Sequence, residues 1–129
     1  MSELGVSAGL HHLAIGSIDV ERLGEFYRDV FGLRESARHH DESGHLRSIW
    51  LDLGGTILML ERTLSTAPPV RGVGAGLFLL ALRVSPPERA RLEGELESRG
   101  HEIEARTPFT SYTRDVDGNR VAFSHYPEP

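Results

Sequence analysis

Apolar and polar positions along this chain alternate with two periods, and the switch from one to the other occurs twice. Residues 10–16 form an apolar run in which strand alternation puts His12 and Ala14 on one face and His11, Leu13 and Ile15 on the other. The apolar face is expected to lie under a helix. That helix follows at once: Ser17 or Asp19 supplies the cap, and Val20, Leu23, Phe26, Tyr27 and Val30 recur at the three-and-four spacing of a buried stripe. Gly32 is a left-handed stop. Strands are then predicted over 33–40, 45–53 and 56–61, with Asp41-Glu42-Ser43-Gly44 as a turn and Gly54-Gly55 as a tight hairpin. A two-residue loop there sets Leu53 opposite Thr56, Trp50 opposite Met59 and Ser48 opposite Glu61. Ser48, Trp50, Met59 and Glu61 then share one face of the sheet.

Residues 62–76, with Ser65-Thr66-Ala67-Pro68-Pro69, show no periodicity and are expected to link two halves. The second half repeats the first. A strand over 77–84 leads into Ser85-Pro86-Pro87-Glu88, which combines an N-cap, first-turn prolines and a capping-box glutamate. Leu92 and Leu96 form the helix stripe, Gly100 stops it, and strands follow near 102–105, 109–115 and 120–126. The plan is βαβββ, twice, in an α+β fold. It is expected to make one domain over 1–129, with modules at about 9–61 and 77–127 and residues 1–8 as a loosely held terminus.

Composition narrows the chemistry. The chain has 129 residues, a formal net charge of −5, no cysteine and no lysine. Any metal site must therefore use His, Asp or Glu, and disulfides are excluded. Scattered arginines give no basic stripe to follow a phosphate backbone, so nucleic acid is not an expected partner. No apolar run has the length of a membrane span and no signal-like segment is seen at the start, which gives a cytoplasmic expectation.

The stretch His11-His12-Leu13-Ala14-Ile15, the helix carrying Glu25-Phe26-Tyr27-Arg28-Asp29-Val30-Phe31-Gly32-Leu33, and the late Arg114-Asp115-Val116-Asp117-Gly118-Asn119-Arg120 resemble the vicinal oxygen chelate superfamily. That is the glyoxalase, bleomycin-resistance and extradiol dioxygenase group. The resemblance implies two βαβββ modules whose curved mixed sheets form a cup, often completed across a dimer, with a divalent metal at the floor. It places one metal ligand on the first strand and one on the last strand of each module. Aligned on Ala14 and Ala81, and counted from the turn glycines Gly55 and Gly118, those positions read His12, Met59, Leu79 and Ala122. Three of the four carry no ligand. Glu61, two residues beyond Met59, is the candidate substitute, with Ser124 in the equivalent place of the other half and His40 as a further recruit from a strand end. His11, His39, His40, His45, His101 and His125 are otherwise expected at the surface or in structural roles.

Without the ion the family's Lewis acid is missing. The expected function is therefore a glyoxalase/bleomycin-resistance-like protein that binds a small organic molecule in its cup, through His12, Ser48, Trp50, Met59 and Ser124, with no cofactor. Trp50 would stack on the ligand and Glu61 would attract a cation. The alternative is a metal-dependent lyase, isomerase or dioxygenase that uses His12 and Glu61 in a non-standard ligand set, with Glu61 as base. A homodimer is expected on either reading.

Overall fold

The computed structural model describes residues 9–129, so the expectation about residues 1–8 lies outside the described residues. In chain order the elements are β1 (His12–Ser17), α1 (Val20–Asp29), β2 (Glu35–His40), β3 (Leu46–Asp52), β4 (Ile57–Arg62), β5 (Leu80–Arg83), α2 (Pro86–Ser98), β6 (Ala105–Arg106), β7 (Thr110–Arg114) and β8 (Arg120–Ser124). They form two four-stranded mixed sheets ordered β1-β4-β3-β2 and β5-β8-β7-β6. The first strand of each module pairs parallel with the last, and the remaining pairs are antiparallel. This is the βαβββ plan, twice.

Local chemistry sets the boundaries. The Asp19 side chain accepts from Arg22 N at 3.1 Å while Ser17 Oγ accepts from Asp19 N, so both residues read as alternative caps take part in starting α1. At α2 the capping box is complete: Glu88 N donates to Ser85 Oγ at 3.3 Å and Ser85 N donates to Glu88 Oε1 at 2.8 Å. Gly54 and Gly55 sit at φ +70° and +105°, a conformation that a side chain would strain, and the hairpin closes with Leu53 N donating to Thr56 O. The second module departs from the expected lengths. β5 starts at Leu80 rather than near residue 77, after the positive-φ Gly76 and the exposed Leu77. β6 is a two-residue edge strand, although Glu104 N still donates to Tyr112 O just before it.

One hydrophobic cluster runs through both modules. Val20, Leu23, Phe26 and Tyr27 of α1 pack on Ile49 and Leu51 of β3 and Leu58 and Leu60 of β4, and the cluster continues to Leu92, Leu96, Val121 and Phe123. Gly24 allows the close approach of helix to sheet, because a Cβ there would stand 3.1 Å from Ile49 Cδ1. Phe31 meets Phe123 across the modules with ring centroids 5.9 Å apart. The buried Tyr27 hydroxyl donates to Asp115 Oδ2 at 2.7 Å. Outside the core, Arg38 and Arg28 bridge Glu21 of α1 and Glu35 of β2, and hydrogen bonds from Arg38 hold both carboxyls below their ordinary pKa.

Candidate functional site

Because the helices cover one face of each sheet, the chemistry must be sought on the other. In the first module the β3–β4 register is Ser48 to Glu61, Trp50 to Met59 and Asp52 to Ile57, so Ser48, Trp50, Met59 and Glu61 lie together on the helix-free face. β2 adds Ala37 opposite Trp50 and His39 opposite Ser48. The His39 and Trp50 rings meet edge to face, 4.9 Å between centroids. In the second module the same face carries Tyr112 beside Ala122, Thr110 beside Ser124, and Arg114 beside Arg120. Ser124 Oγ there shares a 2.7 Å hydrogen bond with Thr110 Oγ1.

Three polar atoms on the first-module face are buried and lack a hydrogen-bond partner among the described residues: His39 Nε2, Ser48 Oγ and Trp50 Nε1. All belong to paired or touching residues. Each buried polar atom left unmatched costs about 1–3 kcal/mol, so three of them together on one face are a feature that calls for a physical account. Glu61 stands beside Ser48 with no ion pair or hydrogen bond to its carboxylate among the described residues.

The histidines need correction in two places. His39, expected at the surface, is half-buried against Trp50. His125 is buried: its Nε2 lies 3.2 Å from Arg89 Nη1 and its Nδ1 donates to Glu128 O at 2.5 Å. His101 packs edge to face on Phe26 at 5.0 Å, whereas His40 and His45 are exposed as expected.

The donor set does not fit the divalent ion that the fold family implies. Parallel pairing sets Ala14 opposite Met59 and Ala81 opposite Ala122, which puts the family's ligand positions in matching places in the two sheets. Of the residues there, His12, Met59, Leu79 and Ala122, only His12 has a nitrogen or carboxylate donor, and its Nδ1 lies 2.9 Å from His11 Nδ1. The substitute pair does not converge. His12 is opposite Ile57, and Glu61 lies four residues farther along β4, about 13 Å at the rise of a strand, with Met59 between. Among the described residues no group of three or more His, Cys, Asp or Glu side chains is arranged to hold a metal.

Sequence reasoning placed Trp50, Met59, Ser48 and Glu61 on one face but missed His39, Tyr112 and Arg120. Stepping back two residues from Ala122 would have found Arg120, since a strand repeats its face at that interval. His39 was hidden by register shifts in β2, one between Glu35 and Ala37 and one between His39 and His40. A cavity of about 380 Å³ lies elsewhere, between Ser17 and Ile18, Pro68 and Pro69, and Asp117 and Gly118.

Comparison with known proteins agrees with this architecture. No curated protein sequence matches the chain. A glyoxalase/dioxygenase from Nostoc punctiforme superposes with a TM-score of 0.79 at 22% identity, covering 99% of this chain and 97% of the other. The lactoylglutathione lyase of Agrobacterium tumefaciens gives a TM-score of 0.68 at 22% identity over 94% and 96% of the two chains. A variant of the fosfomycin resistance protein FosX from Listeria monocytogenes, solved with Mn(II) and a dihydroxypropylphosphonic acid, gives 0.75 at 15% identity over 92% and 93%. At these identities the likeness establishes the fold alone. The sequence model of one family spans residues 9–123, nearly the whole chain, and on that match the protein belongs to the Glyoxalase/Bleomycin resistance protein/Dioxygenase superfamily.

Proposed function

We propose that the protein binds a small organic molecule on the helix-free face of its first module without the family's metal. The unmatched trio of His39 Nε2, Ser48 Oγ and Trp50 Nε1 carries this reading. Trp50 offers a ring face and an N–H donor, Ser48 and His39 offer a hydroxyl and an imidazole, Met59 offers a polarisable apolar wall, and the free Glu61 carboxylate favours a cationic or hydrogen-bond-donating group. His12 and Ser124 occupy the same helix-free faces farther from this centre and complete the contact set. The test is a panel of small aromatic and heteroaromatic compounds screened through the fluorescence of Trp50, the sole tryptophan. Compounds that bind metal-free protein are expected to lose more than about 1 kcal/mol of affinity in Trp50→Ala, followed by calorimetry, while the variant stays folded. A core tryptophan would instead show unchanged affinity with a stability loss of roughly 3–5 kcal/mol, which would overturn the proposal. Binding that appears only with an added divalent ion would favour the lyase, isomerase or dioxygenase reading, with Glu61 as the base.

The protein is further proposed to act as a homodimer. β2 and β6 are sheet edges, and Leu10, Leu64 and Val73 expose apolar side chains. Open edges and exposed apolar side chains are covered when a partner docks. Sedimentation at micromolar concentration is expected to show twice the 14.3 kDa chain mass, and a monomer alone would refute the dimer. Among the described residues no helix is long and apolar enough to cross a membrane.

A further inference from the structure

Arg120 opens β8 on the helix-free face of the second module, with Val121 turned into the core behind it. Its guanidinium carbon lies over two aromatic rings, 4.6 Å from the Phe78 centroid and 4.7 Å from the Tyr112 centroid. Such stacking fixes the plane of the group and leaves its N–H edges free to donate. Among the described residues no carboxylate or carbonyl meets those edges, although the residue is only half-exposed and the chain carries 19 acidic side chains against 14 arginines. The contrast with its cross-strand neighbour is sharp. Arg114 is matched by Glu104, Val70 O and Gly118 O. The remaining arginines without partners, Arg47, Arg71, Arg83 and Arg91, are exposed to water, where no partner is needed.

Beside Arg120 a crevice of about 250 Å³ runs between β1 and the start of β5. Leu13, Ile15, Val70 and Leu79 line it, and Arg120 is its one charged side chain. An apolar slot that ends at a single oriented guanidinium matches an amphipathic anion, with the chain in the slot and the head on the arginine. A planar carboxylate accepts two parallel N–H bonds from one guanidinium edge and cancels its single charge, whereas a dianion would leave charge unmatched beside apolar walls.

We propose that this inter-module crevice is a binding site for a small organic acid, whose carboxylate is held by Arg120 and whose apolar body lies between β1 and β5. The site is separate from the Trp50 face and stands whether or not that face binds a ligand.

Octanoate, octanol, octylammonium and octyl phosphate serve as probes of the full-length protein, titrated by calorimetry and by the shifts of Tyr112 ring resonances. Octanoate is expected to saturate below about 10 mM, with the other three at least about tenfold weaker. Arg120→Gln is expected to weaken octanoate at least about tenfold while leaving octanol unchanged, and Arg120→Lys, which keeps the charge but loses the flat paired donors, to weaken it several-fold. Trp50→Ala should leave octanoate binding intact, so failure here and failure of the first-module site are read independently. Octanoate that does not saturate, or that binds Arg120→Gln as well as wild type, overturns the proposal. So does octyl phosphate binding more tightly than octanoate. Arg120→Gln that only lowers the melting temperature and leaves octanoate affinity intact assigns the stack a purely structural role, and equally overturns it.

Discussion

Asp115→Ala is expected to lower the unfolding free energy by about 3–5 kcal/mol, measured by urea denaturation at neutral pH. Asp115 is 4% exposed and accepts four hydrogen bonds: from Tyr27 OH at 2.7 Å, Asn119 Nδ2 at 2.9 Å, Asp117 N at 2.9 Å and Asn119 N at 3.0 Å. Three of these lie within the Asp115–Asn119 turn, and the one from Tyr27 joins the modules. Alanine removes the side-chain bonds of the turn and strands a fully buried phenol with no acceptor. Removing that phenol as well should restore part of the loss, so Tyr27→Phe combined with Asp115→Ala is expected to be less destabilised than the two single changes added together. A pH series adds a second check. Burial pushes the Asp115 carboxyl above its ordinary pKa, against the pull of Tyr27 and Asn119, and pushes the Tyr27 hydroxyl well above its own. A carboxyl whose folded pKa is raised holds its proton more tightly when folded. The part of its contribution linked to that proton is fully present below the unfolded pKa, near 3.9, and is lost as pH rises through the folded value. The stability gap between wild type and Asp115→Ala should therefore be widest in acid and narrow toward neutrality. A gap that widens with pH would show that hydrogen bonding to the ionised form outweighs burial.

Arg89→Ala is expected to cost about 3 kcal/mol, and Arg89→Lys most of that. The guanidinium reaches from α2 to the β7 and β8 ends and donates to Ser111 Oγ at 2.8 Å, Pro108 O at 3.0 Å, Thr107 O at 2.9 Å and Thr110 O at 3.1 Å, with Glu93 Oε2 at 3.6 Å. Its side chain is 13% exposed, and Glu93 also accepts from Ser111 and Arg106. Lysine can supply three donors but not a flat fan, so most of these acceptors would lose their partner. Arg91→Ala, on the exposed side of the same helix, should stay within about 0.5 kcal/mol of wild type. An Arg89→Lys variant as stable as wild type would show that charge alone holds α2 in place.

What the sequence reveals and what it conceals follow from the range of the interactions. Ser85 and Glu88 satisfy each other within one turn, so the start of α2 is written in four adjacent residues. Gly54 and Gly55 fix a loop length, and everything paired behind the loop follows, down to Ser48 beside Glu61. His39 escapes because the bulges of β2 break the count that would have placed it. His125 escapes for another reason: the arginine that covers it lies 36 positions away on a helix whose orientation no local pattern specifies. The sides taken by Tyr112 and Arg114 depend on the turn between β7 and β8, whose residues allow more than one loop geometry. The family's ligand positions could be located from the motifs, but only the register shows that His12 and Glu61 stand too far along the sheet to share an ion.

The joint core has a consequence for synthesis. All strands of the first module have left the ribosome once Arg62 emerges, and its sheet can then close by pairing β4 with β1. Yet Phe31 waits for Phe123 and Tyr27 waits for Asp115, both near the far end of the chain. At about 5–20 residues per second, the roughly 60 intervening residues take some 3–12 s to translate. For that interval the nascent half presents an aromatic helix face to the cell, which gives chaperones and other nascent chains a window that closes when β8 arrives.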